Sequence, residues 1–362
     1  MSSDRVSALA SPEELAGRLF ESAVGALEIF SIYAGEKLGW YASLVGDGPA
    51  TPSQLADRTK TNERYVREWL EQQATAGILS YTSEPDGANR FAMPPGYESV
   101  LVNRESELFV APLGRFVVSI LNNAHLAVEA YRNGGGVSWP TFGDDMRTAQ
   151  ADFNRSFFMN RLVSDYLSQV PDVEAALSAQ DAQVAEIGPG GGWAAIAIAA
   201  AYPSARVDAF DLDEASVVMA RKNVEEAGLT SRIAVHQRDA ADSTIHGQCD
   251  LVYALECIHD LPNPVGVLST MRRLAKPGAP VIVMDERTAD EFGTVGDLTE
   301  RLLYGFSLGV CLLDGMAYSP SAGTGTVMRP STLRRYAREA EFADIEILPL
   351  EHDLFRFYRL IP

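Results

Sequence analysis

The sequence predicts an α/β protein in which a mainly helical winged-helix domain precedes a domain built on a largely parallel β-sheet. Three observations predict this fold class. Helical periodicity dominates the first half, short β-rich runs alternate with helical segments from about residue 183, and a glycine-rich turn follows the first of those runs. We expect domains at 1–104 and 176–362, joined by a helical connector at 105–175.

The N-terminal domain is predicted to contain a helix, a turn, a second helix and a β-hairpin. Apolar residues in the first segment recur at spacings of three and four, as on one face of a helix. Thr51-Pro52 is typical of a helix start, and Pro85-Asp86-Gly87 is a turn signal between two short strands. The predicted elements are helices at 15–44 and 62–76 and strands at 78–81 and 89–92. This order is that of a winged helix.

A winged helix suggests DNA binding, but the charge argues against it. The net charge is −19 and the pI about 4.7. The predicted recognition helix carries Arg64 and Arg67 among three glutamates. A nucleic-acid binder needs clustered cations to displace the counterions of phosphates. We therefore expect no nucleic acid and no membrane surface as a partner, and a neutral or apolar small molecule as substrate.

Composition indicates a soluble protein of the reducing cytoplasm. Hydrophobic residues make up 46% and charged residues 22%, no apolar run has the length of a membrane span, and residues 1–12 lack a secretory signal. The three cysteines, Cys249, Cys257 and Cys311, are an odd number without zinc-ligand spacing. We expect neither disulfides nor a metal site.

The C-terminal half alternates strands and helices, which predicts a parallel sheet with helices on both faces. The predicted strands are 183–187, 206–211, 232–236, 250–254 and 280–284, and the helices between them include 193–201, 214–227 and 264–274. The last two runs, 345–350 and 354–360, are separated by only a few residues. Such a short connection requires an antiparallel hairpin.

The glycine-rich turn indicates which ligand the sheet binds. Residues 186–192 read Glu-Ile-Gly-Pro-Gly-Gly-Gly, and ligands of open α/β sheets bind at the carboxyl ends of the strands. The dinucleotide fingerprint needs glycine at 193, where this chain has Trp193, and Glu186 would repel a pyrophosphate. S-adenosylmethionine has no phosphate and carries two cationic groups, so it suits Glu186. The alternative is a glycine loop that serves only as a tight turn.

Two further carboxylates follow neighbouring strands of the predicted sheet. Asp211 ends the second strand, where a carboxylate accepts hydrogen bonds from both ribose hydroxyls. Asp213 is less suited because it lies one step into the loop. Asp239, after the third strand, can accept a hydrogen bond from the adenine amino group. The alternative for Asp239 is an exposed loop carboxylate.

Together these segments resemble the class I S-adenosylmethionine-dependent methyltransferases. Residues 186–192 are similar to the first motif of that family, Asp211 to its second, Asp239-Ala240 to its third, and 276–278 to its Lys-Pro-Gly turn. The resemblance covers 183–362 and implies a Rossmann-like seven-stranded sheet whose last two strands are antiparallel. It implies S-adenosylmethionine as cofactor. The predicted cofactor-binding residues are Glu186, Gly188, Gly190, Gly192, Asp211, Leu212, Asp239 and Ala240.

A narrower resemblance covers the whole chain. The layout is similar to that of winged-helix small-molecule O-methyltransferases, including plant phenolic and bacterial antibiotic-pathway enzymes, and especially to actinobacterial members. His259-Asp260 after the fourth strand resembles the His-Asp pair of that group, and residues 152–154 resemble its helical Phe-Asn element near the cofactor. The chain departs from the group at Leu261, where an aromatic residue is usual, and in a longer segment at 286–330.

This resemblance implies a homodimer formed through the N-terminal domain, with Leu27, Phe30 and Tyr33 as candidate interface residues. It also implies a catalytic pair. O-methylation requires a positioned acceptor and removal of its proton, and histidine titrates near neutrality. We therefore predict His259 as general base. The alternative is a histidine that caps a helix or packs beside the cofactor.

Asp285, at the end of the fifth strand, matches the position of an acid that orients the histidine ring in related enzymes, and Glu286 is its near alternative. We do not expect Asp260 to orient the ring merely because it is adjacent in sequence.

The segment 286–330 is predicted to cover the acceptor as a lid. Residues 298–313 have the apolar pattern of a helix, and 315–326 are rich in Gly, Ser and Thr, which favours flexibility. An ordinary surface loop is the alternative. The leading functional hypothesis is O-methylation of a small, hydrophobic acceptor. Methylation at nitrogen or carbon, a non-methylating cyclase-like reaction and a winged-helix regulator that senses the cofactor are the alternatives.

Overall fold

The computed structural model describes residues 10–83, 89–293 and 297–362. The predicted turn at 85–87, residues 1–9 of the N-terminal stretch that lacks a secretory signal, and residues 294–296 of the predicted lid lie outside the described residues. The chain divides into two compact units, one of 10–121 with Thr148–Ser156 and the other of Asn122–Arg147 with Phe157–Pro362. The predicted connector is therefore not a separate unit. It is divided because Phe158, Leu162 and Tyr166 join the core of the β-sheet.

The N-terminal unit has the predicted winged-helix order. Its elements are α1 (Pro12–Lys37), α2 (Trp40–Gly46), α3 (Pro52–Thr59), α4 (Glu63–Thr75), β1 (Ser80–Ser83), β2 (Asn89–Ala92), α5 (Glu98–Leu101) and α6 (Pro112–Asn122). Thr51 caps α3 with its side chain, as predicted. The single helix predicted at 15–44 is instead two helices, because Gly39 adopts a left-handed φ of 69° that ends the first before α2 begins.

Aromatic packing holds this unit together and leaves one face of α1 uncovered. Trp40 and Trp69 lie 4.8 Å apart between ring centroids within the buried core. The backbone of Tyr33 packs against Gly114. By contrast, Leu27 and Phe30 are 69% and 57% exposed. The long first helix therefore carries an apolar face that the described part of this chain does not bury.

The charges on α4 are paired within the helix. Arg64 contacts Glu68 at 2.5 Å, and Arg67 contacts Glu63 at 2.6 Å. Each pair spans one helical turn, which is the spacing of stabilising helix ion pairs. The helix that would read DNA in a winged helix thus presents neutralised arginines.

The second unit contains the sheet and its helices. Its elements are α7 (Ala124–Asn133), α8 (Trp139–Phe157, shared with the N-terminal unit), a π-helical segment (Phe158–Tyr166), a short 3₁₀ helix (Leu167–Gln169), α9 (Pro171–Leu177), β3 (Gln183–Ile187), α10 (Trp193–Ala201), β4 (Arg206–Asp211), α11 (Glu214–Glu226), β5 (Ile233–Gln237), β6 (Leu251–Leu255), α12 (Pro264–Leu274), β7 (Val281–Glu286), α13 (Leu298–Phe306), a second π-helical segment (Ser307–Cys311), α14 (Leu312–Gly315), α15 (Pro330–Glu339), β8 (Asp344–Ile347) and β9 (Phe355–Ile361).

The seven strands lie in the order β5-β4-β3-β6-β7-β9-β8. Strands β3 to β7 are parallel, and β9 pairs antiparallel with both β7 and β8. The predicted α/β fold, its parallel sheet and its terminal hairpin are confirmed. The carboxyl ends of β3, β4, β6 and β7 therefore meet at one edge of the sheet.

Helices cover both faces of the sheet, so alternate residues of one strand enter different cores. Val184 and Tyr253 pack into one core, whereas Ala185 and Val252 pack into the other. Such strands are apolar on both faces, as expected for a parallel sheet. No helix in the described part of the chain has the length and apolar character needed to cross a membrane.

Candidate active site

The glycine-rich loop leaves β3 in a conformation that only glycine adopts readily. Gly188, Gly190 and Gly192 have φ values of 69°, 51° and 76°. A Cβ atom on Gly188 would lie 2.9 Å from Cys257, whereas one on Gly190 would meet no atom within 4 Å. The loop is thus closely packed beneath Gly188 and open above Gly190. An open backbone at a strand end is the arrangement that admits a ligand.

Asp211 ties this loop to the end of the second strand. Its carboxylate accepts hydrogen bonds from the backbone N–H groups of Gly190 at 3.3 Å and Asp213 at 2.9 Å. Burial raises the pKa of Asp211 to about 6. The structure therefore brings Asp211 and the glycine loop together, as the sequence predicted, with a carboxylate able to accept further donors.

Glu186 is buried directly beneath the loop. Burial raises its pKa to about 8, and the negative charge of Asp211 contributes to that rise. Interactions with the Tyr253 hydroxyl and the Ala195 N–H lower the pKa of this carboxyl group, but by less than burial raises it. Among the described residues, no Lys, Arg or His forms an ion pair with Glu186 or Asp211. A ligand that brings positive charge and hydroxyl donors would relieve this repulsion, which fits S-adenosylmethionine and not a dinucleotide.

The remaining predicted cofactor residues lie at the same edge. Leu212 follows Asp211 and is 55% exposed. Because β4 and β5 are parallel neighbours, Asp239 lies beyond Gln237, the partner of Asp211. Asp239 is exposed and accepts a hydrogen bond from its own turn at 2.8 Å, whereas Ala240 is buried. The two readings of Asp239, adenine acceptor and loop residue, are both compatible with this placement.

Arg147 was missed by the sequence analysis. This residue of α8 contacts the carboxylate of Asp213 at 2.7 Å, and its side chain is only 8% exposed. Asp213 also caps α11 by accepting from the Ser216 N–H and hydroxyl. The pair fixes the loop that follows Asp211. No sequence signal links the two residues, because they are 66 positions apart.

His259 lies beyond the end of β6 and is 2% exposed. Its Nδ1 is 2.7 Å from Asp285 Oδ1 and 2.9 Å from Glu286 Oε2, at the end of the neighbouring parallel strand β7. The His259 ring thus contacts both Asp285, its predicted partner, and Glu286, the near alternative. The structure brings all three residues together because adjacent parallel strands end at the same edge.

Asp260, which was not expected to orient the ring merely because it is adjacent in sequence, also contacts the ring, but through the other nitrogen. Asp260 Oδ1 lies 3.1 Å from His259 Nε2, so it faces the ring nitrogen that Asp285 leaves free. The physical reason is a tight turn after β6. Glu256 has a positive φ of 53°, and the Asp260 N–H bonds to the Cys257 carbonyl. This turn folds the Asp260 side chain back onto the histidine, which adjacency in sequence does not reveal.

Three carboxyl groups determine the charge of the ring. Burial by itself lowers the pKa of His259, but Asp260, Glu286 and Asp285 raise it, and the result lies well above the ordinary value. Burial and the charge of Asp285 hold the pKa of Glu286 well above its usual range. The pKa of Asp285 is lowered despite burial, chiefly because of His259. These directions favour the charged ring of His259, the ionised form of Asp285 and the protonated form of Glu286.

Two sets of side chains around His259 have metal-like spacing. The ligand atoms of His259, Asp260 and Cys311, and those of His259, Asp285 and Glu286, lie within 4.8 Å of one another. The imidazolium is itself the cation between these carboxylates, so their spacing does not require a metal ion. Cys311 comes from the second π-helical segment, and sequence spacing gave no reason to associate it with His259.

The Gly/Ser/Thr-rich loop at 315–326 is bonded to the site rather than free. The Gly325 N–H donates to the His259 carbonyl at 3.1 Å, and the Ala322 N–H donates to the Pro262 carbonyl at 2.9 Å. A Cβ atom on Gly315 would lie 3.1 Å from the Asp260 carbonyl oxygen. The loop thus packs against the site, and its flexibility stays a prediction. We call residues 315–326 the covering segment.

Comparison with known proteins agrees with this geometry. A model of the methyltransferase domain matches residues 184–278, and a model of the Rv2258c-like winged HTH domain matches 26–102. The ubiquinone biosynthesis O-methyltransferase of Methylococcus capsulatus is 28% identical over 170 residues, which are 46% of this chain and 65% of that protein. The match thus spans less than two thirds of that relative.

Solved structures share the architecture over nearly the whole chain. PigF, solved with SAH, has a TM-score of 0.71 at 18% identity and covers 97% of this chain and 100% of its own. Human N-acetylserotonin methyltransferase, solved with SAM, has a TM-score of 0.67 at 17% identity, with 98% of this chain and 99% of its own covered. Identities this low establish the fold alone. The chain therefore has a class I methyltransferase fold behind a winged-helix domain.

Proposed function

We propose that this chain, which joins a methyltransferase domain to a winged-helix domain, transfers a methyl group from S-adenosylmethionine to an oxygen atom of a small acceptor. The observation that carries the proposal is the pair of carboxylates at the open glycine loop, the buried Glu186 and the partly buried Asp211. That pair favours a cationic, hydroxyl-bearing ligand and disfavours a pyrophosphate.

Different residues at this edge of the sheet would hold different parts of the cofactor. Asp211 would accept the ribose hydroxyls, and Glu186 would face the cationic methionine end directly or through water. Gly190 leaves space for close approach of the ligand to the backbone. Leu212 and Ala240 would pack beside the adenine, and Asp239 would accept from its amino group. The pair Arg147–Asp213 holds the Asp211 loop in place.

His259 would remove the acceptor proton. S-adenosylmethionine supplies a methyl group on a sulfonium, so that a carbon–oxygen bond forms as the carbon–sulfur bond breaks and the hydroxyl proton is left to the protein. The Nε2 atom of His259 would receive that proton when the ring is neutral, while Asp285 holds Nδ1. Because the pKa of His259 is raised well above 6.5, we expect the rate to increase with pH beyond neutrality.

Calorimetry with S-adenosylhomocysteine tests the cofactor assignment. We expect binding by the wild type and a clear loss in Asp211→Ala, since each hydrogen bond to a charged group contributes roughly 1.5–3 kcal/mol. Asp47→Ala, at an exposed position of the N-terminal unit, serves as the matched control and should bind normally. Binding of NAD with no response to S-adenosylhomocysteine would overturn the proposal.

The acceptor is to be identified with methyl-labelled cofactor. Mass spectrometry of a metabolite pool incubated with the enzyme reports which compound gains the label, and fragmentation reports whether oxygen carries it. We expect a small acceptor with apolar character. Label on nitrogen or carbon would contradict the O-methylation part of the proposal, while cofactor binding without any labelled product would favour a non-methylating reaction.

We also infer a homodimer built through the N-terminal unit, with Leu27 and Phe30 in the interface. Their exposure on α1 supports this assembly, because a long apolar face is costly to leave in water. The neutralised arginines of α4 support the absence of a nucleic-acid partner. The three free cysteines support a reducing, cytoplasmic location.

A further inference from the structure

The site around His259 contains a thiol that the proposed methyl transfer does not use. The ligand atoms of Cys311, His259 and Asp260 lie within 4.8 Å of one another. The thiol also contacts the His259 ring, and burial raises its pKa to about 12. One sulfur, one nitrogen and one oxygen thus converge here, although removal of a proton from an acceptor needs only the nitrogen.

The His259 ring is oriented as in a metal-binding histidine. Asp285 Oδ1 lies 2.7 Å from Nδ1, and Glu286 Oε2 lies 2.9 Å from the same nitrogen. A histidine that binds a metal almost always donates its other ring N–H to a carboxylate, a carbonyl or water, which fixes the tautomer and the direction of the ring. With Nδ1 held in this way, Nε2 is the nitrogen available to a metal, and it faces Asp260 Oδ1 at 3.1 Å.

Two buried oxygen atoms beside this nitrogen and the thiol have few partners. Apart from His259, no group in the described part of the chain bonds to Asp260 Oδ1. Thr326 is 2% exposed, and its hydroxyl faces only the Cys311 thiol among the described residues. Buried polar atoms are nearly always satisfied by protein, water or an ion. These atoms therefore point to a ligand with positive charge.

The backbone holds the thiol next to the histidine. Cys311 ends the π-helical segment Ser307–Cys311, and π-helical turns are rare and occur frequently at functional sites. A Cβ atom on Gly325 would lie 3.1 Å from the Leu312 Cβ atom, so the covering segment packs against the end of this turn. The N–H of the same glycine bonds to the His259 carbonyl. One short stretch of chain thus fixes both the thiol and the ring.

We propose that His259, Asp260 and Cys311 form a zinc site, and that zinc bound there blocks the enzyme reversibly. Zinc takes nitrogen, oxygen and sulfur ligands in a tetrahedron with bonds of about 2.0–2.3 Å, which places the ligand atoms about 3.3–3.7 Å apart. Nε2 and Oδ1 already lie close to this spacing. Small rotations of the side chains bring the thiol to it, and the fourth position faces the Thr326 hydroxyl or water.

The donor set selects zinc over the commoner divalent cations. Magnesium and calcium take oxygen ligands, so a site with one carboxylate, one imidazole and one thiol does not suit them. The two positive charges of zinc are balanced by the carboxylate of Asp260 and the thiolate of Cys311. Cysteine spacing along the chain gave no reason to expect a metal site, because the fold and not the sequence brings this cysteine to a histidine.

Zinc at Nε2 and an acceptor proton at Nε2 exclude each other. Binding displaces the Nε2 proton of the charged ring and the proton of the thiol into solvent, about two protons for each ion. Zinc therefore binds more tightly as pH rises, and a chelator restores the free base. The block of methyl transfer rests on the proposed function, whereas the zinc site itself does not.

Calorimetry with zinc chloride tests the site on the full chain, without a histidine tag, reduced and freed of metal by a chelator. We expect one zinc per chain and, from titrations in buffers of different ionisation enthalpy, release of about two protons. Cobalt used in place of zinc should give the near-ultraviolet charge-transfer band of a thiolate–cobalt bond. Magnesium chloride should give no binding.

Cys311→Ser should weaken zinc binding by about 100-fold or more, because loss of a group that merely orients a ligand already costs about 10–100-fold. It should also lose the cobalt band. Cys249→Ser removes another buried thiol and is the matched control, which should bind both metals as the wild type does. Thermal unfolding of each variant shows whether the fold is retained.

A wild type that binds no zinc overturns the inference. So does unchanged zinc affinity in Cys311→Ser, or a cobalt complex without the thiolate band, since the ion would then lie elsewhere, for example between His259 Nδ1 and Glu286. In the labelled-methyl assay, zinc should abolish product formation by the wild type, and Cys311→Ser should keep the turnover of its own zinc-free reaction. Full turnover by the zinc-loaded wild type contradicts the block. A wild type that forms no product even without zinc contradicts the proposed function, and calorimetry alone then decides the zinc site.

Discussion

The pKa of His259 should change little when one of the acids at Nδ1 is neutralised, and it should fall when both are. In Asp285→Asn the carboxylate nearest Nδ1 becomes neutral. Glu286 lies 2.9 Å from the same nitrogen, and its pKa is held high partly by the charge of Asp285. Once that charge is gone, Glu286 ionises in its place. We therefore expect the pKa of His259 to fall only slightly in the single variant.

The double variant Asp285→Asn with Glu286→Gln removes both sources of charge at Nδ1. An opposite charge at this distance shifts a pKa by about 1–3 units, so the pKa of His259 should fall by about that amount. Each unit corresponds to about 1.4 kcal/mol of preference for the charged ring. The sign for activity follows directly. A lower pKa makes the ring neutral at lower pH, so the rising limb of the rate profile moves to lower pH.

The assay is an NMR titration of the histidine ring Cε1–H signals, which requires no acceptor. The chain has five histidines, and the signal of His259 is identified by its loss in His259→Gln. The unshifted titration of the other four histidines shows that the fold is retained. The reasoning is refuted if the single variant moves the pKa of His259 as far as the double variant, because Glu286 would then carry no compensating charge.

Three further predictions follow from the same geometry. His259→Ala should lower turnover by roughly 10²–10⁴-fold in single-turnover assays while leaving S-adenosylhomocysteine affinity unchanged in calorimetry; full turnover on an oxygen acceptor would contradict the base assignment. Gly188→Ala combines a φ of 69° with a Cβ atom 2.9 Å from Cys257, so thermal unfolding should report a loss of about 1–3 kcal/mol, and an unchanged melting curve would disprove the close packing. Light scattering should find a dimer at micromolar concentration and a monomer when Leu27 and Phe30 are both changed to Glu; a monomeric wild type would argue against the proposed interface.

The strands were predictable because burial on both faces makes them short apolar runs. Strands β3 and β4 occupy the predicted residues, and β5 and β6 are displaced by one residue toward the C-terminus. The first helix was harder, since its apolar pattern continues past the point where the backbone turns at Gly39. Periodicity shows which residues are apolar, but it does not show where the backbone adopts a left-handed φ.

The site was predictable where strand order alone decides proximity. Asp211 and Asp285 each lie at a strand end, so the parallel sheet brings them to one edge with the glycine loop. Arg147 and Cys311 could not be predicted, because their contacts join distant parts of the chain. The contact of Asp260 with the ring could not be predicted, because adjacency in sequence does not determine where a side chain lies. It is the turn after β6 that brings this side chain to the ring.

The hydrogen bonds of the covering segment have a consequence for the kinetics of ligand entry. His259 is 2% exposed, and its own carbonyl is bonded to Gly325. We therefore expect an acceptor to reach Nε2 mainly in molecules in which those contacts have opened. A minor open population of this kind typically amounts to 0.1–10% of molecules, and apparent affinity falls in proportion to that fraction. Observed association rates should therefore reach a ceiling as acceptor concentration increases, set by the opening of the protein and not by diffusion.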